Sequence, residues 1–238
     1  MKVGVPRETV PGERRVALVP EAVGKLTKAG TEVVVESGAG LGSGHDDAAY
    51  RTAGATVADR NAAFGADLVV KVQKPSSDEI GLLRDGSALV ATIQPLTNAD
   101  VVRALAAKRA TAFSMDMIPR VTRAQPMDSL SSQSNIAGYK AVLVAANSLP
   151  KFFPMLTTAA GTVTPARVLV LGAGVAGLQA IATARRLGAV VEAFDTRPVV
   201  KEQVQSLGGK FLEIVKGALI THEGAVVHEA TKKAMGQA

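Results

Sequence analysis

The stretch "VLVLGAGVAGLQAIATARRLGAVVEAFDT", Val168 to Thr196, decides the fold. Val168 to Leu171 reads as a buried strand, Gly172-Ala173-Gly174-Val175-Ala176-Gly177 as a turn, and Leu178 to Leu187 as a helix. A second strand, "AVVEAFD", ends in Asp195. In such a turn Gly172 permits the tight reversal, Gly174 leaves room for a pyrophosphate against the backbone, and Gly177 lets helix and strand pack closely. The phosphates then face free N–H groups at a helix N-terminus, where the dipole favours negative charge. Asp195 follows at roughly the 20-residue offset at which an acidic side chain meets the adenosine ribose. Arg197 could meet a 2′-phosphate, but the Asp195 carboxylate would repel one and hydrogen-bond a 2′-hydroxyl instead. The cofactor expected is therefore NAD(H).

Downstream, 42 residues remain. They offer one helix, "PVVKEQVQSLGG", and a third strand, "KFLEI". A six-stranded nucleotide fold needs three more strand–helix units, roughly 90 residues at about 30 per unit. The expectation is a seam near Ile214–Val215, from a genuine deletion or from a segment missing in the sequence as read. If the chain is continuous there, it should give a half-formed second domain with an exposed apolar sheet edge beside its first strand, able to hold the adenosine half of the cofactor only.

Upstream, "KVGVP" (2–6), "TEVVVE" (31–36), "DLVVKV" (67–72), "SALVATI" (87–93) and "TAFSM" (111–115) read as strands. Between them lie helical patterns at "PEAVGKLTKAG", "DDAAYRTAG", "SDEIGLLRDG" and "TNADVVRALAAKRA", the last capped by Thr97 or Asn98. Alternation of this kind predicts a parallel sheet with helices on both faces, so the class is α/β with two parallel-sheet domains, the second a Rossmann-type dinucleotide-binding domain that is incomplete. The segment from Met117 to Ser134 is polar and aperiodic, a loop, and "SNIAGYKAVLVAAN" reads as a helix leading out of the first domain. The expected boundaries are 1–130 for the first domain, joined by a tail at 215–238, and 131–214 for the linking helix and half-domain.

Composition removes other classes. With 47% hydrophobic and 20% charged residues the chain is an ordinary globular one, and 3% aromatics leave its cores to Ala, Val, Leu and Ile. No cysteine occurs, which excludes disulfides, thiolate metal sites and a cysteine nucleophile. His45, His222 and His228 lack ligand spacing, so no metal is expected. The net charge of +6 is scattered rather than clustered with aromatics, which argues against nucleic acid. "MKVGVPRE" lacks the apolar core of a signal peptide, and a soluble, cytoplasmic chain is expected.

The segments "VGVPRETVPGERRVALVPEAV" and "VESGAGLGSGHDDAAYRTAGA" resemble the superfamily of alanine dehydrogenases and of the NAD(H)-binding component of proton-translocating transhydrogenase. The resemblance runs from residue 1 to about Ile214 and resumes in "VKGALITHEGAVVHEATKKAMGQA". The dehydrogenases carry a catalytic lysine in the segment matching "KVQKP" and a catalytic histidine in that matching "TIQPL". Gln73 and Gln94 stand there. A glutamine amide neither takes a proton near neutral pH nor forms an imine. Lys71 and Lys74 are one step away, on the opposite face if the segment is a strand. Arg15, matching the substrate-carboxylate arginine, remains.

"PRVTRAQPMDSLSSQSN" resembles the transhydrogenase loop in which an arginine, a glutamine and an aspartate approach the nicotinamide. The resemblance assigns these roles to Arg120, Gln125 and Asp128, with Ser131 at the following helix start. Gln125 would hold the NAD(H) ribose or the incoming NADP(H) nucleotide, Asp128 would orient Arg120, and Ser131 would meet the carboxamide or a phosphate. Direct hydride passage between two nicotinamide rings asks for positioning rather than acid–base work. The resemblance further implies a homodimer, an NADP(H)-binding partner component, and membrane partners that couple transfer to proton movement and hold the chain at the cytoplasmic side of the inner membrane. The alternatives are an alanine dehydrogenase-like amino-acid dehydrogenase and a nucleotide-sensing module without transfer.

Overall fold

The computed structural model describes residues 1–215 and 218–220. They form two compact units, Met1–Ser129 and a second beginning at Leu130.

The first unit alternates β1 (Lys2–Val5), α1 (Pro20–Lys28), β2 (Glu32–Glu36), α2 (Asp47–Thr52), β3 (Thr56–Ala58), α3 (Arg60–Phe64), β4 (Leu68–Val70), α4 (Ser77–Leu82), β5 (Ala88–Ala91), α5 (Ala99–Ala107) and β6 (Thr111–Ser114). All its strand pairs are parallel, in the order β3-β2-β1-β4-β5-β6. Side-chain alternation splits the core in two. Val3, Val5, Val33 and Val35 pack with Val23 of α1 and Tyr50 of α2. Val69, Leu89 and Ala91 pack with Phe64 of α3, Ile80 of α4 and Val101 and Leu105 of α5. Helices thus cover both faces, as a buried parallel sheet requires. Local signals fix the helix starts: Asp46 and Asp59 each accept a hydrogen bond from the third residue on, both at 2.8 Å, and Ser76 with Glu79 completes a reciprocal capping box. Asn98 stands at the start of α5 but does not cap it, because its amide donates back to Ile93 O and Gln94 O.

The second unit contains α6 (Ser129–Ser148), whose first residue closes the first unit, then β7 (Leu156–Thr158), β8 (Gly161–Val163), β9 (Arg167–Leu171), α7 (Val175–Arg186), β10 (Val190–Phe194), α8 (Lys201–Ser206), β11 (Lys210–Val215) and β12 (Ala218–Ile220). β7 and β8 form a separate hairpin, while β9, β10 and β11 are parallel and β12 runs antiparallel to β11. Among the described strands β9 has a neighbour on one side only. Val168 and Val170 face the core of Ile181, Ala184, Val191 and Val204, but Leu169 and Leu171 are exposed on the other face. That is the exposed apolar edge expected of a continuous chain. Ile214 and Val215 both fall within β11, whereas residues 216, 217 and 221–238, which carry most of the expected tail, lie outside the described residues.

Several elements differ from expectation. The short strand β3 and helix α3 add to the expected set, as does the hairpin β7–β8, and α6 begins at Ser129 instead of Ser134, which places Ser131 inside its first turn.

Candidate functional site

The turn after β9 is built by its glycines. Gly172 has φ +99°, in the left-handed region. A Cβ on Gly177 would lie 1.8 Å from Gly172 O, so only hydrogen fits where α7 crosses the turn. A Cβ on Gly174 would meet nothing within 4 Å. It would project into open space just ahead of the N–H groups of Val175, Ala176 and Gly177, which as the first residues of α7 have no helical acceptor. The first bond of the ladder is Leu178 N to Gly174 O at 2.8 Å. The result is a concave donor surface at the N-terminus of a 12-residue helix, where an anion such as a pyrophosphate fits.

Asp195 closes this turn from the end of β10. Its Oδ2 accepts the Ala173 N–H at 2.7 Å, while Arg197 donates its backbone N–H and Nε to Oδ1 at 2.8 and 3.0 Å and Nη2 to Oδ2 at 3.1 Å. The adjacent guanidinium and then the Ala173 N–H hold this carboxyl well below the usual carboxylate range. A cavity of about 500 Å³ opens beside it, lined by Phe194, Asp195, Pro198 and Phe211 and bridged by an ion pair between Lys201 and Glu213 at 2.5 Å. Phosphate cradle, carboxylate and half-apolar cavity are the three features an adenosine diphosphate moiety asks for. A larger cavity, about 710 Å³, is lined by Phe152, Phe153, Pro154 and Leu187 and shares no residue with the turn.

The loop residues are placed less closely. Gln125 is exposed in a 3₁₀ turn, Thr122–Met127, and its carbonyl accepts the Asp128 N–H at 3.1 Å. Arg120 is exposed ahead of that turn, Asp128 is half-buried behind it, and Ser131 belongs to the second unit. The structure brings together Gln125 and Asp128 through the backbone, and the glycine turn, Asp195 and Arg197 through side chains.

In the first unit, the loops after β1 and β4 meet where the strand order reverses, the usual position of a ligand crevice in such sheets. Sequence reasoning did not single out the carboxylates there. Lys71 is buried between Glu8 and Glu79, 3.2 Å from each, and Arg60 joins Glu79 at 3.0 Å. Lys74 donates to Asn98 Oδ1. β4 ends at Val70, so strand alternation does not set the direction of either lysine; their partners do. Gln73 Nε2 donates to Glu13 at 2.7 Å, and Glu13 is paired through both oxygens with Arg15. Gln94 is exposed, with φ +52°.

Residues 4–137 match the family described as alanine dehydrogenase/PNT, N-terminal domain, and residues 141–236 match its C-terminal domain. The first of the polypeptides that make up the NAD(P) transhydrogenase alpha subunit of Rhodospirillum rubrum is 53% identical over 232 residues, 94% of this chain and 60% of that protein. Alanine dehydrogenase 2 of Staphylococcus aureus is 31% identical over 224 residues, 92% of this chain and 60% of that protein. The crystal structure of transhydrogenase from Sinorhizobium meliloti superposes with a TM-score of 0.88 at 52% identity, covering 90% of this chain and 64% of that one. The chain thus spans about three fifths of these relatives' length. It belongs to the alanine dehydrogenase/PNT family.

Proposed function

We propose that this chain is the NAD(H)-binding component of an NAD(P) transhydrogenase. The observation that carries the choice within the family is the pair of glutamines, Gln73 and Gln94, at the positions matching the dehydrogenases' catalytic lysine and histidine. Gln73 is committed to Glu13, and both nearby lysines are committed elsewhere. No group there can form an imine or carry a proton near neutral pH.

Gly172, Gly174, Val175, Ala176 and Gly177 would hold the pyrophosphate, and Asp195 the adenosine ribose. Bound NAD(H) supplies the hydride or accepts it. Arg120, Gln125, Asp128 and Ser131 position and exclude water, a role that needs no acid or base. NADP(H) is held by a partner component, membrane partners couple transfer to proton movement, and the chain works as a homodimer attached through them to the cytoplasmic face of the inner membrane. Among the described residues no helix is long and apolar enough to cross a membrane, in keeping with spanning segments on other chains.

The test is a pair of assays. Pyruvate, ammonia and NADH should give no turnover with the purified chain, while reduction of a nicotinamide analogue by NADH should appear only when the NADP(H) component is added. Alanine turnover would instead favour the dehydrogenase reading, whose one supporting observation is the retained Arg15.

A further inference from the structure

A carboxylate offers about four acceptor directions, and in Asp195 four donors fill them. Two are backbone N–H groups, from Ala173 and Arg197, fixed by the turn and by the chain leaving β10. Two are guanidinium N–H groups of Arg197, whose side chain is 58% exposed while that of Asp195 is 7% exposed. A ribose hydroxyl that donates to this carboxylate must displace one of the four. The backbone donors cannot leave without unwinding the turn, so the guanidinium is the donor that gives way.

We propose that Arg197 is a latch on the ribose-recognising carboxylate: it opposes adenosine binding instead of assisting it, and Asp195 in turn withholds it from a 2′-phosphate. The inference rests on the dinucleotide reading of the glycine turn and adds to it a residue that sets cofactor preference. An exposed ion pair is worth little, so the latch lowers affinity modestly while leaving the carboxylate charged and aimed. It departs from the expectation that Arg197 simply contacts the cofactor.

Calorimetric titration of the full chain with 5′-AMP, 2′-deoxy-5′-AMP and adenosine 2′,5′-bisphosphate tests it at fixed salt. Arg197→Ala should raise the preference for AMP over 2′-deoxy-AMP roughly two- to fivefold, and this ratio cancels the general loss of positive charge. Asp195→Asn should weaken AMP and strengthen the bisphosphate, and the gain should vanish in the double variant Asp195→Asn/Arg197→Ala. An unchanged or reduced AMP preference in Arg197→Ala, with wild-type AMP binding intact, would overturn the latch alone. If neither the wild type nor any variant bound AMP, the dinucleotide reading would fall with it. Circular dichroism should show every variant folded, because the guanidinium is exposed and asparagine can still accept the Ala173 N–H.

Discussion

The Glu13 carboxyl lies at about 2 instead of its ordinary 4.5, lowered first by hydrogen bonds from the Arg15 side chain, opposed by burial, and lowered again by the Gln73 amide. A depressed carboxyl stabilises the fold fully above its unfolded value and loses that contribution as pH falls through the folded one. The melting-temperature gap between wild type and Glu13→Gln should therefore be constant above about pH 5 and close between about pH 4.5 and 2. A gap that stays open through that window would show that the pairing does not contribute. At this scale the sequence is half legible. Gln73, Gln94, Asp195 and the glycines stand out by residue type, but the engagement of Arg15 by Glu13, of Lys71 by Glu8 and Glu79, and of Asp195 by Arg197 depends on side-chain directions that no spacing encodes.

At the scale of elements, glycine gives opposite signs in two helices. In α6 a Cβ on Gly138 would lie 2.0 Å from Ala176 O, where the helix crosses the N-terminal turn of α7. In α4 a Cβ on Gly81 would meet nothing within 4 Å, and its φ is not positive. Alanine gains about 1 kcal/mol over glycine in a helix interior, whereas forcing an atom into packed backbone costs about 1–3 kcal/mol or more. Gly81→Ala should accordingly stabilise by about 0.5–1 kcal/mol, and Gly138→Ala should destabilise by about 1–3 kcal/mol. Urea unfolding measures both, and the same sign for the two would contradict the packing of α6 on α7. The elements that escape the sequence reading share a cause. β3 and α3 have three and five residues, too few to show a period. The hairpin β7–β8 turns through Ala159-Ala160, not the Asn-Gly or Asp-Gly pair that signals such turns. The first turn of α6 is Ser-Leu-Ser-Ser, whose side chains suit caps and loops as well as helix.

At the scale of the whole molecule, alternation of strand and helix predicts two parallel sheets, but strand order is set by contacts between elements far apart in sequence. The first sheet completes the order 3-2-1-4-5-6 of a doubly wound fold, while the described part of the second supplies only three parallel strands. The pyrophosphate cradle, the ribose carboxylate and the adjacent cavity all belong to those three strands and their connections. In a complete fold of this kind the nicotinamide half rests on the strands beyond β9, on the side where β9 has no described neighbour. The prediction is that the 238-residue chain, titrated alone, binds ADP and NADH with dissociation constants within about threefold, since a difference that small is under about 0.7 kcal/mol and leaves no room for a well-gripped nicotinamide riboside. Adding the NADP(H) component should then favour NADH over ADP, because a partner that covers the open edge also orders the ring it must exchange hydride with. NADH binding about a hundredfold tighter than ADP in the absence of any partner would show instead that this chain grips the nicotinamide half by itself, through residues outside the half-sheet.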